Sequence, residues 1–395
     1  MTAHVESAGI KQRPKPPVLW LCMAHPCARL AGSSTYSAGL LRATAAAGQP
    51  ITLLTYGEGP AIQGVQTISV PPPRRPRVLG IGSTLPASAW ALASPEARHK
   101  LARLLGAQEW RAAVVDHAAM AWTVPAIRAT RIPLVYVSHN HEASVRPAVA
   151  RAETAFARRP LMLWDAKKFA WLEKNAVGEA ALVTAITEAD AAQYRREGSS
   201  APILTLTPGY TALEQPPRSI TEETPRRVVL VGRYDWVAKQ ANLQRWAAEG
   251  VPILGMRGVE TVIAGHVPEA LQARLRQPGL RFLGEVQNLS PILADARVGL
   301  VAEELGGGFK MKTLDYIHHG LPVAALAGNL AGIPSNVQDF AIQEDTRASL
   351  AQAILSEIDD IPRLNTRHRG ALQAARQEFD WDTRGVRLAA AVAPL

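Results

Sequence analysis

Short segments that are apolar at nearly every position recur along this chain, alternate with stretches of helical periodicity, and start over a second time after a polar break. PVLWLCMAHP is the first, followed by the small-residue and then helical stretch AGSSTYSAGLLRATAAAGQ and by ITLLTYG. RAAVVDH, PLVYVSHNH, ALVTAIT and ILTLTPG continue the series. A strand apolar on both faces is covered on both faces, which is the condition of a parallel sheet flanked by helices. ALEQPPRSITEETPRR (212–227) has no apolar period, and after it RVVLVG, ETVIAG, LRFLGEV, VGLVAE and LPVAAL alternate with helical segments again. The pattern predicts an α/β chain of two doubly wound parallel sheets. Their bounds are 1–211 and 228–378, joined by a linker at 212–227, with a closing helix over 379–395 that returns to the first domain. Ligands of such sheets bind outside the carboxyl ends of the strands, so the cleft between two facing sheets is the expected site.

The chain's 395 residues suit two cores rather than one, and 47% hydrophobic with 19% charged residues excludes a disordered chain. No apolar run reaches the roughly 18–20 residues of a membrane span. The polar, Pro-containing N-terminus does not read as a signal peptide, so a cytoplasmic protein is expected, with attachment to a membrane surface left open. Cys22 and Cys27 are the two cysteines; they lack metal or redox spacing and read as free thiols. Charge is divided unevenly. Residues 1–175 hold 21 Lys and Arg against 9 Asp and Glu, whereas the remainder is slightly acidic. The two domains are therefore expected to meet different partners.

In the second half, VVLVGRYDWVAK places Gly232 and Arg233 after a strand and Lys239 at the mouth of a helix. EELGGGFKMKTLDYIHHGLPVAAL places Gly306, Gly307 and Gly308 after another strand, then Phe309, Lys310 and Lys312 at a helix start, with Asp315 one turn on. Glycines admit close backbone approach, and a helix start favours an anion. Lysines in a first turn oppose the helix dipole unless an anion is present, so a bound phosphate would account for them.

These segments resemble the donor-binding half of retaining glycosyltransferases of the GT-B fold, family 4, and the likeness extends over nearly the whole chain. The resemblance implies that Arg233 and Lys239 neutralise a nucleotide diphosphate and act in catalysis. It implies that Asp315 holds the ribose and that Gly284 and Val286, in FLGEVQNLSPILADARVGLV, lie beside the nucleobase. Most of that family carries two glutamates eight positions apart; here Gly307 and Asp315 occupy those positions, as in a Gly-rich subgroup with lysine. Backbone N–H groups near Gly307 would then contact the sugar.

In the first half, SHNHEASVR puts His139, Asn140, His141 and Glu142 at a strand end. By the same resemblance His139 contacts the donor sugar near the reacting centre. Gly32 and Ser33, in the loop AGSS, and Asp116 and His117, at another strand end, are assigned with Asn140 and Glu142 to the acceptor side. His318 and His319 read as packing or surface groups.

RRPLMLWDAKKFAWLEK (158–174) interleaves basic and aromatic residues at helical spacing. Trp164 and Trp171 are expected in the core, with Arg158, Arg159, Lys167 and Lys168 adding to a basic face that suits an anionic or lipid-linked acceptor or peripheral membrane contact. No nucleic-acid module accompanies the patch. No metal-ligand spacing occurs, and no cofactor is expected beyond a UDP- or GDP-linked sugar as substrate. Alternatives are a sugar-nucleotide epimerase or phosphorylase on the same fold, and a non-catalytic nucleotide-binding partner.

Overall fold

The computed structural model describes residues 15–28, 32–153, 155–210, 218–376 and 378–395. The polar N-terminal segment 1–14, Ala31 of the small-residue loop and residues 212–217 of the linker lie outside them.

Seven strands form the first sheet: β1 (Val18–Cys22), β2 (Ile51–Tyr56), β3 (Val65–Val70), β4 (Ala112–Asp116), β5 (Leu134–Val137), β6 (Leu182–Ala185) and β7 (Ile203–Thr205). Six form the second: β8 (Arg227–Val231), β9 (Glu260–Ala264), β10 (Leu280–Gly284), β11 (Val298–Val301), β12 (Val323–Leu326) and β13 (Ile342–Glu344). Their orders are β3-β2-β1-β4-β5-β6-β7 and β10-β9-β8-β11-β12-β13, and the described pairings are all parallel. In each sheet the order reverses beside the first strand, between β1 and β4 and between β8 and β11. The loops diverge there and leave a crevice.

β1, β2, β4, β5 and β6 are buried along their whole length, as their unbroken apolar runs require. β3 (VQTISV) and the three-residue β13 were not among the strands read from sequence. β3 is a sheet edge, half exposed, so its polar residues hide the apolar signal. The register sets Cys22 of β1 beside Asp116 of β4, so both side chains arrive at the same carboxyl edge.

The last helix, Trp381–Val392, packs on the helix Gly32–Ala46 of the first sheet. A Cβ on Gly39 would lie 2.2 Å from the Trp381 ring, and one on Gly385 would lie 2.2 Å from the Ala43 backbone. Two glycines therefore let these helices touch, and Leu388 and Val392 join the buried cluster of Leu40 and Leu41. No described helix is long and apolar enough to cross a membrane.

Candidate active site

At the first sheet's switch point a shallow pocket is lined by Cys22, Met23, Ser33, Ser37, Asp116, His117 and His139. Asp116 and His139 are both buried, and His139 Nε2 lies 2.6 Å from Asp116 Oδ1. The other carboxylate oxygen accepts from Trp20 Nε1 at 2.9 Å and from the Cys22 thiol at 3.2 Å. Burial works to raise the Asp116 carboxyl, but these donors and the charge of His139 hold it below its ordinary value. Burial, and then the same carboxylate, push the Cys22 thiol well up, so Cys22 serves as a donor rather than a nucleophile. With Tyr36 edge-on to its ring at 5.3 Å, His139 has one orientation.

His117 adopts φ 82°, a backbone state that side chains rarely enter, and its Nδ1 accepts from Ala119 N at 2.9 Å. Burial pushes its ring down to about 4, against the opposing charge of Glu142. The 3.7 Å contact between His117 Nε2 and Glu142 thus joins a neutral ring to a carboxylate, which Arg146 Nε binds at 2.5 Å. Asn140 and Glu142 lie beyond this pocket's lining.

In the second domain Lys310 and Lys312 are buried against a single carboxylate, Glu303, two residues past β11. Lys310 Nζ lies 3.3 Å from Glu303, and Lys312 forms a close ion pair with it. Lys239, in the first turn of the helix Val237–Gly255, faces the same group. Burial favours a neutral Glu303, yet Lys312, Lys310 and Lys239 together hold it far below the carboxylate range. Burial, then the charges of Lys312 and Lys310, lower Lys239 in turn. Two cations pair with this one anion and a third acts on it without an ion pair, so positive charge is in excess in a largely buried place. Glu303 was missed in sequence because an acidic pair after a strand reads as loop polarity.

The glycine loop is held from behind. Asn242 Oδ1 accepts from the backbone of Glu304 and Leu305, and Asn329 Oδ1 accepts from Glu303 N at 2.9 Å. Neither asparagine carries a motif, so the sequence gives no sign of them. Gly306 and Gly308 have φ 105° and 71°. A Cβ on Gly308 would lie 3.0 Å from His139 O and 2.4 Å from Asn140 Oδ1; one on Gly307 would lie 2.4 Å from Val145. The loop therefore rests against the first domain's His139–Val145 segment, and a glutamate at position 307 has no room. Lys310 Nζ donates to Gly307 O at 3.1 Å, which joins the cation cluster to this contact.

Other positions separate from the cluster. Arg233 is exposed and paired with Asp235 at 3.1 Å and with Glu285. Gly232 packs against Gly265, whose Cβ would lie 2.0 Å from Gly232 O. Gly284 has φ 75° and accepts from Gly265 N at 2.8 Å, with Val286 half-buried after it. Phe309 packs edge-to-face on Phe379 and abuts Gly332. Asp315 turns to Tyr210 rather than to Lys312, and burial raises its carboxyl to about 6. His318 stacks on Tyr210 at 4.0 Å, and His319 follows the helix end.

Two expectations for 158–174 are corrected. Trp164 and Trp171 are not core residues but 52% and 57% exposed, while Lys168 is buried. Its ammonium donates to Gly80 O and Ile81 O, a use of lysine that helical spacing does not reveal.

Residues 31–209 match the model of a glycosyl transferase 4-like domain, and residues 225–360 match that of glycosyl transferases group 1. Sucrose-phosphate synthase from Thermosynechococcus elongatus is similar over 95% of this chain and 98% of its own, at TM-score 0.71 and 17% identity. HepE from Anabaena, in complex with UDP and glucose, is similar over 96% and 100%, at 0.66 and 15%. WaaG, a glycosyltransferase involved in lipopolysaccharide biosynthesis, is similar over 95% and 99%, at 0.62 and 16%. At these identities the likeness is one of fold. No curated protein sequence matches the chain.

Proposed function

We propose that this chain, a glycosyltransferase of the GT-B fold that pairs a 4-like domain with a group 1 domain, moves a sugar from a UDP- or GDP-linked donor to a hydroxyl acceptor with retention and without a metal ion. The observation that carries the reading is the surplus of largely buried positive charge formed by Lys310 and Lys312 on Glu303, with Lys239 adding its charge nearby. A nucleotide diphosphate supplies the missing negative charge. Residues 228–378 would then hold the donor and residues 1–211 the acceptor.

In the reaction the bond from the anomeric carbon to the diphosphate oxygen breaks and a bond to the acceptor oxygen forms on the same face. The acceptor's proton passes to the departing phosphate oxygen. Lys239, Lys310, Lys312 and the glycine-loop amides stabilise the charge that builds on the diphosphate, and Arg233 joins them by exchanging Asp235 and Glu285 for phosphate. His139, oriented by Asp116, borders the position of the donor sugar. Catalysis on this reading is positioning and electrostatics.

Titration calorimetry with UDP, GDP and TDP tests the donor site. UDP or GDP is expected to bind with EDTA present, and Arg233→Ala should cost on the order of 2–4 kcal/mol in transfer. Absence of binding by both UDP and GDP, or a requirement for magnesium or manganese, would overturn the proposal.

A further inference from the structure

Seven of the ten exposed large hydrophobic residues among the described residues come from two segments: Val78, Leu79 and Ile81 from one, and Phe156, Leu161, Trp164 and Trp171 from the other. Single exposed apolar side chains are ordinary; a concentration of them is not. The two segments are fastened together. Lys168 Nζ donates to Gly80 O at 3.2 Å and to Ile81 O at 2.7 Å, and Asp165 Oδ1 accepts from Ala87 N at 2.7 Å. The buried lysine holds the turn Arg77–Gly80 against the helix Arg158–Glu179, and the Trp164 ring lies 5.6 Å from that same ammonium. Leu79 and Trp164, 65% and 52% exposed, therefore flank one junction.

Around this apolar surface lie Arg74, Arg77, Arg158, Arg159 and Lys167, all exposed, and none forms an ion pair among the described residues. Asp165 is the single acid within 71–81 and 155–171, and it is committed to Ala87. We infer that these two segments form one docking surface for an anionic lipid bilayer, with Leu79, Leu161, Trp164 and Phe156 entering the interface and the five cations meeting the headgroups. Exposed leucines gain nothing from a phosphate backbone, which argues against nucleic acid, whereas aliphatic and aromatic side chains inside a ring of unpaired cations match a charged bilayer.

Docking here also places the cleft at the surface. Met162, next to Leu161, packs with Val145 and Val149 against Ala238 and Leu305, the residue before the glycine loop. A hydroxyl carried by a lipid would thus enter beside the donor's reacting end; this consequence rests on the glycosyl-transfer reading, while the docking surface itself does not.

Co-sedimentation of the full chain with vesicles of phosphatidylcholine alone, or mixed with phosphatidylglycerol, tests the surface. Binding is expected to the mixed vesicles only and to fall steeply with added salt. Replacement of Arg74, Arg77, Arg158 and Arg159 by Ser, or Leu79→Ser with Trp164→Ser, should each lower partitioning at least about tenfold. Unchanged circular dichroism and melting midpoint in the same variants show that they are folded, and UDP or GDP affinity is measured beside them. Equal binding to neutral vesicles, no binding, or loss with the arginines but not with Leu79 and Trp164 would overturn the inference, the last by marking a general polyanion patch. Vesicle binding without any nucleotide binding would overturn the donor reading and leave the docking surface standing.

Discussion

The two domains present their strand-end clusters in opposite electrostatic conditions. Around Asp116 in the first domain every partner is supplied by the protein: Trp20, Cys22 and His139 satisfy one carboxylate. Around Glu303 in the second, Lys310 and Lys312 share one carboxylate, Lys239 acts on it without pairing, and positive charge is left over. A satisfied buried network fixes geometry before any ligand arrives, whereas an unsatisfied one takes its last partner from outside. On the proposed reading the first site orients and the second binds.

Glu303→Gln should break this contrast most severely. Removing the shared counter-charge from buried lysines costs about 3–5 kcal/mol of stability. Denaturant melts should show that loss, with added nucleoside diphosphate restoring part of it. A variant as stable as the wild type would mean that the lysines are not buried together as charged groups.

Lys312→Ala acts next, and on binding rather than on folding. Loss of one charge-assisted contact should weaken nucleoside-diphosphate binding by about 2–3 kcal/mol, read by calorimetry. Unchanged affinity would leave Lys312 as a partner of Glu303 alone.

Asp116→Asn sharpens the comparison from the other side. The amide cannot serve Trp20, Cys22 and His139 together, so stability should fall by about 1.5–3 kcal/mol and turnover should drop. Nucleotide affinity should not move, because on the proposed reading Asp116 lies in the domain that does not hold the diphosphate. A matching loss of nucleotide affinity would dissolve the division of labour.

The smallest effect is that of pH through His117. Its folded value of about 4 lies below the ordinary 6.5, so as pH falls the unfolded chain takes up the proton first. The stabilising contribution is fully present above about 6.5 and is lost as pH falls from there through about 4. Wild type should therefore lose more stability than His117→Gln across that window; parallel curves would show that burial of His117 is not coupled to its charge.

Much of this was legible in the sequence. Unbroken apolar runs are read directly as strands covered on both faces, and the lysines read at a helix start do lie together, on Glu303. Edge strand β3 was not legible, because its alternation carries polar residues, nor were Asn242 and Asn329, because a lone asparagine says nothing of the loop it holds. Trp164 and Trp171 were misassigned for a related reason: periodicity says which residues share a face, not whether that face is covered.

The sequence by itself determined two parallel sheets and the strand ends that carry polar residues, since each follows from local hydrophobic period and turn chemistry. Only the tertiary structure decided which of those groups meet. Asp116 and His139, 23 residues apart, share a proton-bearing contact because β4 and β5 are neighbours in the sheet. Lys310 and Lys312 meet on Glu303, two residues past β11, and Lys168 turns inward to the carbonyls of Gly80 and Ile81 rather than outward with its basic neighbours. Pairing of buried charges depends on distances through space and on the loss of water around them, and neither quantity is written in the order of residues along a chain.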